Sequence, residues 1–157
     1  MKIVFLDIDG VLLPFEQTHN ERVCCELLPD TNGCPGFDLN CVAELNRICS
    51  QSRACVVVSS SWRQHIPCLE TMRLVLRHQG ILAHVAGLTP IAEGEWDRHD
   101  RGDEISHFLN DFSADSIVII DDLDMGFEGF EDVWVRPRSQ IGLQHCDAEK
   151  AISILEI

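Results

Sequence analysis

At 157 residues and 45% hydrophobic content, the chain has the length and apolar reserve of one domain with a single core. Its formal net charge of -14 repels nucleic-acid phosphates on average and argues against strong non-specific binding to DNA or RNA. No apolar run approaches the roughly 20 residues of a membrane span, and the stretch 1–6 turns acidic too soon for a signal peptide, so a cytoplasmic protein without a membrane partner is expected.

In chain order, the first element is KIVFL at 2–6, an apolar run typical of a strand covered on both faces. It runs directly into Asp7, Ile8, Asp9 and Gly10. Two carboxylates one residue apart on an acidic chain cost free energy unless a cation sits between them. Gly10 frees the backbone to turn just past them. The stretch 14–36, with Pro29, Asn32, Gly33, Pro35 and Gly36 in its second half, reads as a short excursion over a site rim. Cys24, Cys25, Cys34, Cys41 and Cys49 fall within the segment 24–49 but form no CxxC pair. Reduced thiols acting as small buried apolar groups are favoured over a zinc site.

A helix follows at 39–50 behind Asp38 as its cap, then a strand at 54–59 that ends on Ser59, Ser60 and Ser61, with Trp62 and Arg63 next. The pattern predicts a second helix at 67–79, with Pro67 early and Gly80 as its stop, and a weaker strand at 82–85. A third helix at 102–110 follows the polar DRHDR, and a strand at 116–120 ends on Asp121 and Asp122. A last strand at 132–135 leads into Arg136 and Arg138, and a fourth helix spans 148–155 behind Asp147. Regular alternation of strand and helix predicts a single α/β unit over 1–157: a three-layer, Rossmann-like domain with a mostly parallel sheet and helices on both faces. In such sheets ligands gather at the carboxyl ends of the strands.

Three strands finish there on acids or hydroxyls. If they are neighbours, Asp7, Asp9, Asp121 and Asp122 converge into the oxygen-rich environment that Mg²⁺ prefers. A carboxylate beside such an ion can attack an electrophile that the metal polarises, and the phosphorus of a phosphate ester is the natural one. Asp7 is the candidate nucleophile. Asp9 can give a proton to the departing oxygen and take one back from water, a role that calls for a raised pKa.

DIDGVL, the strand-end serines, a basic residue before a helix, and IIDD, in that order, resemble the haloacid dehalogenase (HAD) superfamily of Mg²⁺-dependent phosphohydrolases. DIDGVLL with SSSWR, RGDEI and IIDD looks like the small HAD domains associated with Swiss-army-knife RNA repair proteins. The resemblance implies Asp7 as nucleophile and metal ligand, and Asp9 as acid/base giving its backbone carbonyl to the metal. Asp121 and Asp122 complete the metal site, with Asp124 in support. It gives Ser60 a phosphoryl oxygen to hold, with Ser59 as alternate because three consecutive serines leave the register open. Ser59, Ser61 and Arg63 are the further candidates for substrate contact. The family's usual lysine is missing, since Lys2 and Lys150 lie in the wrong places; Arg101 takes that position, with Arg98 second. The stretch between Gly10 and the second strand is too short for a full cap domain. That implies an open cleft and a phosphorylated substrate that is a nucleic-acid end, a protein or a small molecule.

Overall fold

The computed structural model describes residues 1–16, 22–23, 34–91 and 100–156. Strand β1 (Lys2–Leu6) is flanked by β4 (Cys55–Val58) and β6 (Ser116–Ile120), with β5 (Val85–Leu88) and β7 (Trp134–Val135) at the edges. The order β5-β4-β1-β6-β7 is parallel throughout. A separate antiparallel pair, β2 (Arg22–Val23) and β3 (Cys34–Pro35), lies in the excursion, the rest of which falls largely outside the described residues.

The period-2 alternation of the strands sorts their side chains into two cores. Val4 and Leu6 of β1, with Val56 and Val58 of β4, face the larger core. There they meet α1 (Leu39–Ser52), α3 (Leu69–His78) and α5 (His145–Leu155). Ile3 and Phe5, with Cys55, Val57 and Ile119, face the smaller core, built on Ile105 and Phe108 of α4 (Arg101–Asp111) and on Phe127. Helices therefore cover both faces, and the three-layer α/β architecture follows. Cys41 and Cys49 are buried on α1, where burial pushes both thiols up to about 12.

Asp38 caps α1, accepting from the backbone N–H groups of Asn40 and Cys41. Other boundaries differ from expectation for local reasons. Residues 62–65 form a short extra helix, α2 (Trp62–His65), and α3 starts at Leu69 rather than at Pro67, because the chain is still extended at Cys68 (φ -86°, ψ 121°), the N-cap residue of the helix. The weak strand moves from 82–85 to Val85–Leu88: Leu82 is 69% exposed, and its N–H is taken by Asn46 Oδ1. Of the run 132–135 only Trp134 and Val135 pair with β6; a 3₁₀ turn takes Glu131–Val133. Asp147 is not the cap of the last helix. Gln144 is, and Asp147 answers from three residues on in a reciprocal capping box.

Candidate active site

The carboxyl ends of the strands are held in line by backbone bonds that continue the ladders one residue further. Asp7 N–H donates to Ile120 O (3.0 Å), Ser59 N–H to Leu6 O (3.0 Å), Asp121 N–H to Val135 O (3.2 Å) and Thr89 N–H to Val58 O (3.0 Å). Asp7 and Asp121 keep the parity of Ile3 and Ile119, so their side chains stand on the α4 side of the sheet. Asp122, one residue on, takes the opposite parity.

Carboxylate oxygens of Asp7, Asp121 and Asp122 lie within 4.8 Å of one another, and all three residues are buried. Burial and the nearby Asp7 charge raise the Asp121 pKa to about 7, against the pull of Arg101. Burial also raises Asp7, while the Arg101 charge, the Ile8 N–H and the Ser60 hydroxyl oppose it. Asp122 is the more telling case: both of its carboxylate oxygens are buried without a hydrogen-bond partner among the described residues. An uncompensated buried carboxylate costs several kcal/mol or more. A divalent cation among three such groups removes that cost, and the all-oxygen donor set suits a hard ion.

Gly10 makes this packing possible. Its φ is +75°, and a Cβ there would stand 2.2 Å from Asp122 Oδ2. The glycine of DIDG therefore serves the turn and also clears room for an acid more than a hundred residues away in sequence.

From the other side comes Arg101, the first residue of α4. Its Nη1 lies 3.0 Å from Asp7 Oδ1 and 2.5 Å from Asp121 Oδ2. Asp100 caps the helix by accepting from Asp103 N–H. Gly102 and Gly126 let the loop after β6 close on this end: a Cβ on Gly102 would stand 1.8 Å from Gly126 O, and one on Gly126 would stand 2.0 Å from Asp100 Oδ1. Arg101 thus starts its helix where the family's basic residue was expected; Arg98 lies outside the described residues.

The serine loop and α2 close a third side. Ser60 is buried, with its hydroxyl at Asp7 and 3.4 Å from Trp62 N–H. The Ser59 hydroxyl is buried without a hydrogen-bond partner among the described residues, and Ser61 is exposed. Arg63, expected among the substrate contacts, is turned inward instead: its guanidinium donates to Ser59 O, Ser60 O and Glu104 Oε2. Arg63 and Glu104 side chains are only 4% and 2% exposed. Asp9 stands past the strand end and reaches solvent, and its Oδ2 accepts from Trp62 Nε1 at 3.0 Å. Neighbouring protein displaces enough water to raise the Asp9 pKa, with the Trp62 hydrogen bond and Arg101 opposing and Asp122 adding to the rise.

Several supports were invisible in the sequence. Trp134 Nε1 donates to Asp121 O (2.9 Å) and Arg136 Nε to Asp122 O (3.0 Å), so Trp134 of β7 and Arg136 just after it clamp the carbonyls of the two acids, while Arg136 lies over the Trp134 ring. Glu104, the partner of Arg63, is the acid of RGDEI on α4, a motif in which the sequence assigns a role to Arg101 alone. Asp124 is exposed and accepts from Phe127 N–H at 3.5 Å, which places it in the loop rather than in the buried cluster. His65 is exposed, Arg138 is exposed, and His19 lies outside the described residues.

A parallel sheet with acids at the ends of its neighbouring strands β1 and β6, a serine loop at the end of β4 on the other side of β1 and a basic helix start defines an α/β domain of the HAD type. The chain belongs to the family of HAD domains in Swiss Army Knife RNA repair proteins, whose sequence pattern matches residues 3–148, and this places it among HAD-type hydrolases in general. No curated protein matches the chain, and no solved structure does. Among the described residues no helix is long and apolar enough to cross a membrane.

Proposed function

We propose that the protein is a Mg²⁺-dependent phosphatase that works through an aspartyl-phosphate on Asp7. The observation that carries this reading is the buried acid cluster, above all the two unpartnered oxygens of Asp122 beside Asp7. Asp7, Asp121, Asp122 and the backbone carbonyl of Asp9 would hold the ion. When bound, it neutralises the cluster and the phosphoryl charge.

An Asp7 carboxylate oxygen attacks phosphorus, and the ester P–O bond breaks. Asp9 passes its proton to the departing oxygen. Water then attacks the same phosphorus, its proton goes to Asp9, the Asp7–phosphorus bond breaks, and inorganic phosphate leaves. Arg101 and the Ser60 hydroxyl, both beside Asp7, would hold the phosphoryl oxygens; hydrogen-bond donors aimed at charge that develops in the reaction stabilise the transition state more than the ground state. Ser59 and Ser61 are secondary candidates for substrate contact. Arg63 supports the serine loop from within.

The family description favours a phosphorylated RNA end as substrate, and the short excursion in place of a cap suits a bulky one. The -14 charge means that such an end would be captured locally rather than by a broad basic surface. Small phosphate esters and phosphoproteins remain in the substrate class to be screened, and transfer of the phosphoryl group to an acceptor other than water would use the same residues. Buried free thiols accord with a cytoplasmic setting.

A second reading is a Mg²⁺- or phosphate-binding module with little turnover. It draws on the Arg101 guanidinium, which already bridges Asp7 and Asp121. Hydrolysis of p-nitrophenyl phosphate with Mg²⁺, with chelator and by Asp7→Asn separates the two. Multiple turnover that vanishes in both controls supports the phosphatase; metal-dependent stabilisation without turnover supports the binder.

A further inference from the structure

Trp62 follows the serines, and its side chain has two ties. One is to Phe37, in a tilted-edge contact with ring centroids 5.6 Å apart at 63°. The other is the Nε1 hydrogen bond to Asp9 Oδ2. Among the described residues, this is the side-chain hydrogen bond made to the Asp9 carboxylate. We infer that Trp62 is a positioning residue for proton transfer: its indole fixes Asp9 by Oδ2 and leaves the other oxygen free to serve the ester's leaving group. The inference rests on the phosphatase reading and deepens it.

Three features suit Trp62 to the task. An indole N–H donates only and cannot capture the proton that Asp9 must deliver. Its ring is packed against the larger core, so the donor is fixed in place, unlike one on a solvated flexible side chain. The helix that bears it is itself pinned, since the next residue, Arg63, binds the carbonyls of Ser59 and Ser60 and pairs with Glu104 on α4. Trp62 N–H also points at the Ser60 hydroxyl. One dipeptide therefore ties the acid/base to the serine that would hold the phosphoryl group and to the helix that starts with Arg101.

The chemistry gives a test that simple loss of packing would not mimic. In the first step the ester P–O bond breaks as Asp7 bonds to phosphorus, and the leaving oxygen takes the Asp9 proton. A p-nitrophenolate departs readily without that proton, whereas the alkoxide of glycerol 2-phosphate does not. General acid catalysis contributes about 10²–10⁴-fold where it is needed. Trp62→Phe keeps a ring against Phe37 and removes the donor. It is expected to lower kcat/KM for glycerol 2-phosphate by about tenfold, a fraction of that full contribution, and for p-nitrophenyl phosphate by less than about threefold. Equal losses on both esters, or no loss on either, would overturn the inference; Asp9→Asn sets the largest discrimination obtainable.

A second measurement needs no turnover. The indole N–H signal in a ¹H–¹⁵N spectrum that disappears in Trp62→Phe belongs to Trp62, and it should move in Asp9→Ala. If it stays in place, the contact is absent and the inference fails. A parent protein that hydrolyses neither ester nor an oligoribonucleotide with a 3′ or 5′ phosphate sinks the phosphatase reading and, with it, the catalytic purpose given to Trp62, whatever the indole signal shows.

Discussion

Two buried arginine sites lie one helical turn apart along α4, and they differ in what they leave unfinished. At the inner one, Arg63 meets Glu104 and two backbone carbonyls. At the outer one, Arg101 lies against Asp7 and Asp121, yet Asp7 Oδ1 lacks an aligned hydrogen bond and both oxygens of Asp122 have no partner among the described residues. Their electrostatics diverge accordingly. Burial pulls the Arg63 pKa down despite Glu104, whereas the two aspartates hold Arg101 above its ordinary value. Burial and ion pairing alone do not mark a functional arginine. The excess of negative charge left around one of them does.

The sharpest break between the two sites is chemical. Asp7→Asn should reduce phosphatase turnover on the order of 10³-fold or more while the fold survives, since a lost nucleophile is not replaced by its neighbours. Circular dichroism and a turnover assay on the same sample decide it. Near-parent activity would remove the outer site from the chemistry.

Next in size is stability. Arg63→Ala takes the ion-pair partner from buried Glu104 and the shared donor from the Ser59 and Ser60 carbonyls, and should cost roughly 3–5 kcal/mol, or about 10 °C in Tm for a chain of this length. Added Mg²⁺ should not restore it. Arg101→Ala exposes the acid cluster to its own repulsion, but here Mg²⁺ supplies the missing positive charge and should recover most of the lost Tm. Thermal melts of both variants with and without the ion test the contrast. Equal rescue of both, or of neither, would erase it.

What the sequence made legible follows the same division. Motif residues at strand ends could be read because the chemistry dictates their type and the Val- and Ile-rich runs mark where the strands stop; the side they take, Asp7 and Asp121 toward α4, came from the structure, since strands apolar on both faces do not show it. The supports were not legible, because they are contacts across long sequence separations with no required spacing. Glu104 lies inside RGDEI but has no assigned role there, and Arg63 looks like a substrate contact because it follows the serines; only packing shows that its guanidinium is consumed inside. Trp134 and Arg136 reach the carbonyls of Asp121 and Asp122 through a strand pairing of two residues, too short to have a periodicity. The last helix was misjudged by three residues because a glutamine cap is a weaker signal than the aspartate that answers it.

Gly10→Ala probes the outer site without touching a charge. An alanine at φ +75° costs about 1–2 kcal/mol, and its methyl would have to displace the Asp122 carboxylate. The variant should therefore lose a few degrees of Tm and also gain less Tm from Mg²⁺ than the parent does. An unchanged metal response would mean that Asp122 does not depend on the space this glycine leaves.

The smallest effect expected is the response of the metal-free protein to pH, and its sign separates the two sites once more. Asp7, Asp9 and Asp121 all have folded pKa values above the ordinary 3.8, with Asp121 at about 7. Between pH 4 and 7 the folded state therefore binds more protons than the unfolded chain, and stability falls as pH rises through that window. A drop of about 5 °C in Tm from pH 5 to 7.5 is expected without metal, a scale set by one or two kcal/mol in a chain of this size. Mg²⁺ favours the ionised carboxylates, so it should flatten the slope and be most stabilising at the upper end; at 100 times its dissociation constant an ion adds about 2.7 kcal/mol. A melting profile that rises from pH 5 to 7.5 in chelator would mean that the three acids are already compensated in the folded chain, leaving the outer site no more in need of a cation than the inner one.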